Sequence, residues 1–228
     1  MMVAVRLTSP SDGFIFEAAH VLPKEARRGG LVLVQEIFGV TDHIRELAQT
    51  FADDGYEVLA PSLFDRRAPG FQAAYDEDGI AKGRNLSEAT PWAEVESDLR
   101  ACVAALTGPA FVVGYCWGGT AAWLAAARVP GVSAVSSYYG RRIPELINEA
   151  PKCPIILHFG RSDPTIPPES VMEIRERYPD LSVHEYDAGH GFASDRRKDF
   201  VADAARLARL RTLQLFHRNA GLAGDGGD

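Results

Sequence analysis

Short apolar runs alternate with segments of helical periodicity along most of the chain. The runs end in or just before Gly, Pro or polar residues, which is typical of buried strands. This pattern predicts strands at residues 31–36, 56–60, 111–114, 132–138, 155–159 and 181–186. Apolar side chains at helical spacing predict a helix that Thr41 or Asp42 caps and Gly55 ends, and a helix from Pro91 to about Leu106. Further helices are predicted over residues 118–128 and 197–217.

Strands that alternate with helices in this way predict an α/β domain with a mostly parallel central sheet and helices on both faces. The chain has 228 residues, which fits one domain that we place at residues 1–218. Residues 219–228 are rich in Gly and Asp and are expected to form a flexible tail. Active sites of such sheets lie at the carboxyl ends of the strands, so that is where chemistry is expected.

Residues 61–91 interrupt the alternation of strands and helices. The segment is polar, with Gly and Pro scattered through it. Long excursions in compact domains are often lids or binding loops, and a plain surface insertion is the alternative.

The composition includes enough apolar residues for a core and no excess of basic residues. Hydrophobic residues make up 46% of the chain, and the formal net charge is −7, which argues against a nucleic-acid partner. No apolar run reaches the roughly 18 residues that cross a bilayer, and the N-terminal residues lack the apolar core of a signal peptide, so we expect no membrane association. Three widely separated cysteines, Cys102, Cys116 and Cys153, fit neither a disulfide framework nor a zinc site and indicate a cytoplasmic protein.

The sharpest chemical signal is the segment Gly114-Tyr115-Cys116-Trp117-Gly118-Gly119, between a predicted strand and the helix that follows it. It matches a nucleophile elbow, Gly-x-nucleophile-x-Gly, with Cys116 in the position of the nucleophile. The tight turn requires small neighbours and places Cys116 at a helix N-terminus, where the dipole favours a thiolate. The alternative is a strand–turn–helix joint in which Cys116 is only buried filler.

A histidine and an acid follow the elbow in the order that a catalytic triad on such a sheet requires. His190 lies in a glycine-rich segment after the last predicted strand, and Asp163 follows the strand before it. This order predicts that Asp163 orients His190 and that His190 activates Cys116. Asp187 is the rival acid. A solvated histidine and a turn aspartate are the structural alternatives.

Glu36 ends the first predicted strand, where the oxyanion-hole loop of such a sheet lies. The N–H groups of Ile37 and Trp117 are the candidate donors to the oxyanion. In the structural alternative, Glu36 only caps a turn.

These segments together resemble the dienelactone hydrolases, or carboxymethylenebutenolidases, which have the α/β-hydrolase fold. The resemblance covers about residues 12–217. It rests on five motifs in the family's order, which are Gln35-Glu36-Ile37-Phe38-Gly39, the elbow at 114–119, Ser137-Tyr138-Tyr139-Gly140, Phe159-Gly160-x-x-Asp163 and Gly189-His190-Gly191-Phe192.

The resemblance implies a reaction and a set of site residues. A small ester or lactone would be opened through an acyl-enzyme that water then hydrolyses, with neither a metal nor an organic cofactor. Glu36 would contact the thiol and take part in its activation. The remaining implied roles are catalysis by Cys116, His190 and Asp163, an oxyanion hole formed by Ile37 and Trp117, and substrate binding by Phe38, Tyr139, Arg84 and Phe192.

The substrate end of the sequence departs from the family. Members that take dienelactone bind its carboxylate with arginines, and one of these follows the catalytic histidine, where this chain has Ser194 with Arg196 nearby. The other arginine is expected from residues 61–91, where Arg84 competes with Arg66 and Arg67, and the usual Tyr and Trp after it are missing. The sequence therefore predicts the hydrolase chemistry and leaves dienelactone as one candidate substrate.

Three other functions stay open at the level of sequence. A broader esterase or thioesterase would use the same residues on other substrates, and a binding protein of this fold would hold a ligand without turnover. A redox role for Cys116 is disfavoured because no Cys-x-x-Cys pair is present. The expected partner is a small ester or lactone, and the chain is expected to be a monomer or weak dimer.

Overall fold

The computed structural model describes residues 2–221 as one central sheet with helices packed on it. The strands are β1 (Met2–Thr8), β2 (Ile15–Val21), β3 (Gly29–Val34), β4 (Tyr56–Pro61), β5 (Ala110–Tyr115), β6 (Val132–Tyr138), β7 (Ile155–Gly160) and β8 (Ser182–Tyr186). The helices are α1 (Asp42–Asp53), α2 (Glu77–Ala89), α3 (Trp92–Ala105), α4 (Trp117–Arg128), α5 (Pro168–Arg177) and α6 (Ala202–Asn219), with a 3₁₀ helix at Ile143–Leu146. The predicted α/β architecture is confirmed.

The strand order in the sheet is β1-β2-β4-β3-β5-β6-β7-β8. The strands from β4 to β8 in this order pair in parallel, and the β1–β2 hairpin adds two antiparallel strands at one edge. Every residue of β3, β5 and β7 is buried, so helices cover both faces of the parallel core.

Parallel strands direct the segments that follow them to one edge of the sheet. The segments after β3, β5, β6, β7 and β8 carry Glu36, Cys116, Tyr139, Asp163 and His190. The candidate residues therefore meet at the carboxyl edge, as the sequence predicts.

Several elements differ from the expectation. The β1–β2 hairpin and α5 were not predicted, and the excursion at 61–91 contains the helix α2. The last helix begins at Ala202 instead of residue 197, so residues 197–201 belong to the loop that follows His190. The domain boundary at 218 stays a prediction, and most of the predicted tail, residues 222–228, lies outside the described residues. No helix within residues 2–221 is both long enough and apolar enough to cross a membrane.

Candidate active site

Cys116 lies on the turn between β5 and α4. Its backbone has φ 56° and ψ −116°, a conformation that costs about 1–3 kcal/mol for a residue other than glycine. A Cβ on Gly114 would lie 1.8 Å from the carbonyl oxygen of Gly118, and a Cβ on Gly118 would lie 2.4 Å from that of Gln35. The two glycines are therefore required for the close backbone packing that holds the strained turn and presents the thiol.

His190 connects Cys116 with Asp163 through two short contacts. Its Nε2 lies 3.1 Å from Sγ of Cys116, and its Nδ1 lies 2.6 Å from Oδ2 of Asp163. Thr165 holds the other carboxylate oxygen, because its N–H and its hydroxyl donate to Oδ1 of Asp163 at 2.8 and 2.7 Å. Side chains that follow three different strands thus form one continuous hydrogen-bonded chain.

The charges in this chain of contacts shift the pKa values of its members. Burial disfavours the imidazolium of His190, but the Cys116 sulfur and the Asp163 carboxylate outweigh burial and raise the pKa of His190 to about 10. Burial also acts to raise the pKa of Asp163, but the hydrogen bonds from His190 and Thr165 outweigh it and lower that pKa. The site therefore favours the imidazolium form of His190 beside the carboxylate of Asp163.

Asp163, and not Asp187, contacts the imidazole. Asp187 is exposed and pairs with Arg161 at 2.6 Å. The two other cysteines are also accounted for. Cys102 is fully buried in the core, and Cys153 is half-buried, with a pKa that burial raises to about 11. Neither of these cysteines lines the cavity that contains Cys116.

The two predicted oxyanion donors lie near Cys116. Trp117 is the first residue of α4, so its N–H has no acceptor within the helix. The N–H of Cys116 itself is occupied, because it donates to the carbonyl oxygen of Tyr138 at 3.0 Å. Ile37 lies in the loop after β3, and both Ile37 and Trp117 line the same cavity as Cys116.

Glu36 and Tyr139 are buried and carry polar atoms that lack partners. Oε2 of Glu36 and the hydroxyl of Tyr139 have no hydrogen-bond partner within residues 2–221. The ring of Tyr139 lies edge-on against His190, with ring centroids 5.1 Å apart, and burial raises the pKa of its hydroxyl. No hydrogen bond among the described residues joins Glu36 to Cys116, whose thiol faces His190 instead. Glu36 and Cys116 line the same cavity, and the contact that the family resemblance implies between them stays a prediction.

A cavity of about 400 Å³ opens over Cys116. Of the four predicted substrate-binding residues, Phe38 and Arg84 line it, whereas Tyr139 and Phe192 do not. Phe192 is fully buried and packs edge-on against Tyr139, with ring centroids 5.4 Å apart. Its side chain therefore supports the tyrosine from inside the core.

The structure separates the arginines that line the cavity from those that form ion pairs elsewhere. Arg84 on α2 reaches the cavity, whereas Arg66 and Arg67 form ion pairs with acidic residues of α3. Arg196 pairs with an acidic residue of α1, and the next residue, Arg197, lines the cavity in its place. Sequence reasoning missed further lining residues in the loops after β6, β7 and β8. These are Arg141, Arg142, Ser162, Thr165, Arg197 and Lys198.

One cluster brings possible metal ligands together. The ligand atoms of His43, Glu46 and Asp195 lie within 4.8 Å of one another. The guanidinium of Arg196 pairs with both carboxylates and supplies the positive charge there. The cluster is therefore an ion-pair network that joins α1 to the loop after His190, outside the cavity of Cys116.

Comparisons with known sequences agree with this geometry. The model of the dienelactone hydrolase family matches residues 16–220. A protein of Synechocystis sp. that is assigned as a carboxymethylenebutenolidase is 35% identical over 208 residues, which cover 82% of this chain and 84% of that protein. The carboxymethylenebutenolidase of Pseudomonas putida is 34% identical over 218 residues, which cover 90% of this chain and 92% of that enzyme.

Solved structures confirm the α/β-hydrolase fold. A protein of Klebsiella pneumoniae that is assigned to the dienelactone hydrolases superposes with a TM-score of 0.82 at 26% identity, covering 95% of this chain and 98% of that chain. A dienelactone-hydrolase-like promiscuous phosphotriesterase from metagenomic libraries superposes with a TM-score of 0.80 at 20% identity, covering 96% and 98% of the two chains. The second likeness carries information on the fold alone.

Proposed function

The chain belongs to the dienelactone hydrolase family, and from this premise we propose that it cleaves small esters or lactones with Cys116 as the nucleophile. The observation that carries the proposal is the unbroken contact from Cys116 through His190 to Asp163, at 3.1 and 2.6 Å. A thiol that is only core filler would not need a strained backbone, a buried base and a buried acid aligned on it.

Acylation begins from the Cys116–His190 pair. The thiolate attacks the carbonyl carbon, a C–S bond forms, and the carbonyl oxygen becomes an oxyanion that accepts from the N–H groups of Ile37 and Trp117. Collapse of this intermediate breaks the C–O bond, and the proton on His190 moves to the departing oxygen. An ester then releases its alcohol, whereas a lactone keeps the new hydroxyl on the acyl chain. Loss of one oxyanion donor typically costs about 10²–10³ in rate.

Deacylation uses the same groups in the reverse sense. Nε2 of His190 takes a proton from water, and the resulting hydroxide attacks the thioester carbonyl and expels the thiolate of Cys116. Asp163 stabilises the imidazolium that forms in this step. Glu36 lines the cavity, and its buried Oε2 has no partner among the described residues, so we expect this carboxylate to take part in proton transfer once substrate enters.

The test is pre-steady-state hydrolysis of p-nitrophenyl acetate. Wild type should give a burst of nitrophenolate followed by steady turnover, and mass spectrometry should place the acetyl group on Cys116. Cys116→Ala should abolish the burst and lower kcat by about 10⁴-fold or more. Cys153→Ala is the matched control, since this thiol lies outside the cavity and its pKa is raised by burial, and it should keep wild-type rates.

Other outcomes would separate the alternatives. Undiminished turnover by Cys116→Ala, or an acetyl group on another residue, would refute the proposed nucleophile. A burst without steady turnover would favour a protein that holds its ligand, and turnover of simple esters without cis- or trans-dienelactone would favour a broader esterase. Ser194, which stands where the family's second arginine is expected, makes this comparison informative. The cytoplasmic location and the monomeric or weakly dimeric state stay predictions.

A further inference from the structure

Cations are concentrated around the catalytic cavity of an acidic chain. The formal net charge of the chain is −7. The acidic residues of the cavity wall are Glu36, which is buried on the floor, and Asp199. The basic residues of the wall are Arg84, Arg141, Arg142, Arg197 and Lys198. The cavity therefore attracts anions locally, although the molecule as a whole repels them.

Among the described residues, three of these guanidinium groups form no ion pair with a carboxylate, those of Arg84, Arg141 and Arg197. Among residues 2–221, neither Arg84 nor Arg141 forms an ion pair with a carboxylate, and both are exposed residues that line the cavity. Arg142 differs, because Glu145 binds it at 2.7 Å and its guanidinium lies over the ring of Trp92. Arg142 is thus committed to the protein, whereas Arg84 and Arg141 have unused donors.

Arg84 and Arg141 lie on opposite sides of Cys116. Arg84 follows Gly83, where a Cβ would lie 2.2 Å from the carbonyl oxygen of Ile37, so Arg84 belongs to the wall beside the loop after β3. Arg141 lies in the loop after β6. In the sheet, β3 and β6 flank β5, the strand that leads to Cys116. Neighbouring strands are about 4.8 Å apart, so the two walls are separated by about 10 Å.

Arg197 adds a second cation to the β3 side. Its guanidinium lies 5.7 Å from the ring centre of Phe38, which follows Ile37 in the loop after β3. The wall beside β3 therefore has Arg84 and Arg197, and the wall beside β6 has Arg141. A substrate with one carboxylate would satisfy one of these walls and leave the cation of the other without a ligand.

We propose that the substrate carries an acidic group on each side of its scissile carbonyl, one held by Arg84 with Arg197 and the other by Arg141. This rests on the proposed function, because it orients an ester on Cys116. The chemical class is an ester that joins a dicarboxylic acid to a hydroxy acid. Water adds across its acyl C–O bond, and the two products are a dicarboxylate and a hydroxy acid, both anionic.

Four esters of graded charge test the proposal. Ethyl propionate is neutral, monoethyl succinate is acidic on the acyl side, O-acetylglycolate is acidic on the alcohol side, and O-succinylglycolate is acidic on both. The quantity is kcat/KM from a pH-indicator assay with wild type, Arg84→Met, Arg141→Met and Lys24→Met. Lys24 is exposed, does not line the cavity and matches the loss of charge, so it serves as the control.

Wild type should prefer O-succinylglycolate over all three other esters. Each arginine variant should lower kcat/KM for O-succinylglycolate, relative to that for ethyl propionate, by about fivefold or more. The two variants should penalise different singly acidic esters, and Lys24→Met should leave every ratio unchanged. The inference is overturned if the doubly acidic ester has no advantage, if both variants penalise the same ester, or if Lys24→Met gives the same losses.

A binding experiment separates failure of this inference from failure of the proposed function. N-succinylglycine replaces the scissile ester by an amide and can be titrated calorimetrically into Cys116→Ala. It should bind at least about tenfold more tightly than N-acetylglycine or succinamate, which each have one carboxylate. Equal affinities would overturn the two-sided recognition even if Cys116 is the nucleophile, and a clear preference would stand even if it is not.

Discussion

Replacing Gly83 with alanine should distort the proposed oxyanion hole. The helix α2 approaches the loop after β3 at this glycine, where a Cβ would lie 2.2 Å from the carbonyl oxygen of Ile37 and 3.0 Å from its Cβ. A close carbon–oxygen contact is about 3.3 Å, so the helix or the loop must move by about 1 Å. The N–H of Ile37 would move with the loop.

The magnitudes favour a loss of rate over a loss of fold. Overpacking of this kind costs about 1–3 kcal/mol, and exchange of glycine for alanine within a helix returns up to about 1 kcal/mol. A displacement of about 1 Å at a catalytic group costs about 10² in rate. We therefore expect Gly83→Ala to lower the acylation rate with p-nitrophenyl acetate by about 10²-fold while the protein remains folded.

A matched control lies one turn earlier on the same helix. A Cβ on Gly79 would lie 2.0 Å from the carbonyl oxygen of Ala74, an equally severe clash that does not involve Ile37. Burst rates and thermal midpoints should be measured for Gly79→Ala and Gly83→Ala together. Equal loss of acylation rate in both variants, or an unchanged rate in Gly83→Ala with its fold intact, would refute the coupling between α2 and the oxyanion loop.

Three further predictions concern the titrating groups. Thr165→Val removes the hydroxyl that donates to Asp163 and should lower kcat about tenfold with little change in KM, whereas Thr165→Ser should restore it; an unchanged kcat in the valine variant would argue against this positioning role. Because the folded pKa of His190 is raised to about 10 from 6.5, protonated His190 stabilises the fold fully below pH 6.5, and this stabilisation is lost as the pH rises to about 10. The free energy of urea unfolding should therefore fall over this pH range in wild type, and it should fall less in Cys116→Ala. Burial lowers the folded pKa of His158 well below 6.5, so its effect has the opposite sign: stability falls as the pH drops below 6.5, and His158→Gln should show a shallower loss than wild type in the same experiment.

The parallel core could be predicted from sequence because its strands are buried on both faces. Such strands appear as continuous apolar runs, and β3, β5 and β7 have no exposed position. The strands β1 and β2 are different, because they lie at one edge and each has exposed positions within it. Their apolar pattern is therefore broken, and the sequence does not reveal them.

The helix α2 was missed for a different physical reason. Its buried residues are Gly79, Gly83 and Ser87, which are spaced by four and are all small. Small residues permit close approach of backbones without forming an apolar stripe. A search for hydrophobic periodicity therefore cannot detect this helix, although the spacing of its small residues is regular.

The rule that chemistry lies after strand ends predicts a site of Cys116, Asp163 and His190, and the structure brings these three side chains into contact. The rule could not separate the side chains within each loop. Phe192, two residues after His190, turns into the core, and Arg197 reaches the cavity while its neighbour Arg196 pairs with α1. These directions depend on local backbone geometry in loops, which periodicity does not encode.

The order of the proposed catalytic groups along the chain links activity to folding. Cys116 and His190 are 74 residues apart in sequence, and His190 follows β8, which is the edge strand of the sheet and pairs with β7. Contacts between distant segments form late, since the entropy of loop closure must be overcome first. When β5, β6 and β7 have paired but β8 has not, the thiol of Cys116 is in position and His190, its proposed base, is not. The rate at which esterase activity recovers during refolding therefore reports the pairing of β8 with β7. This recovery should be slower than the spectroscopic changes that report formation of the core.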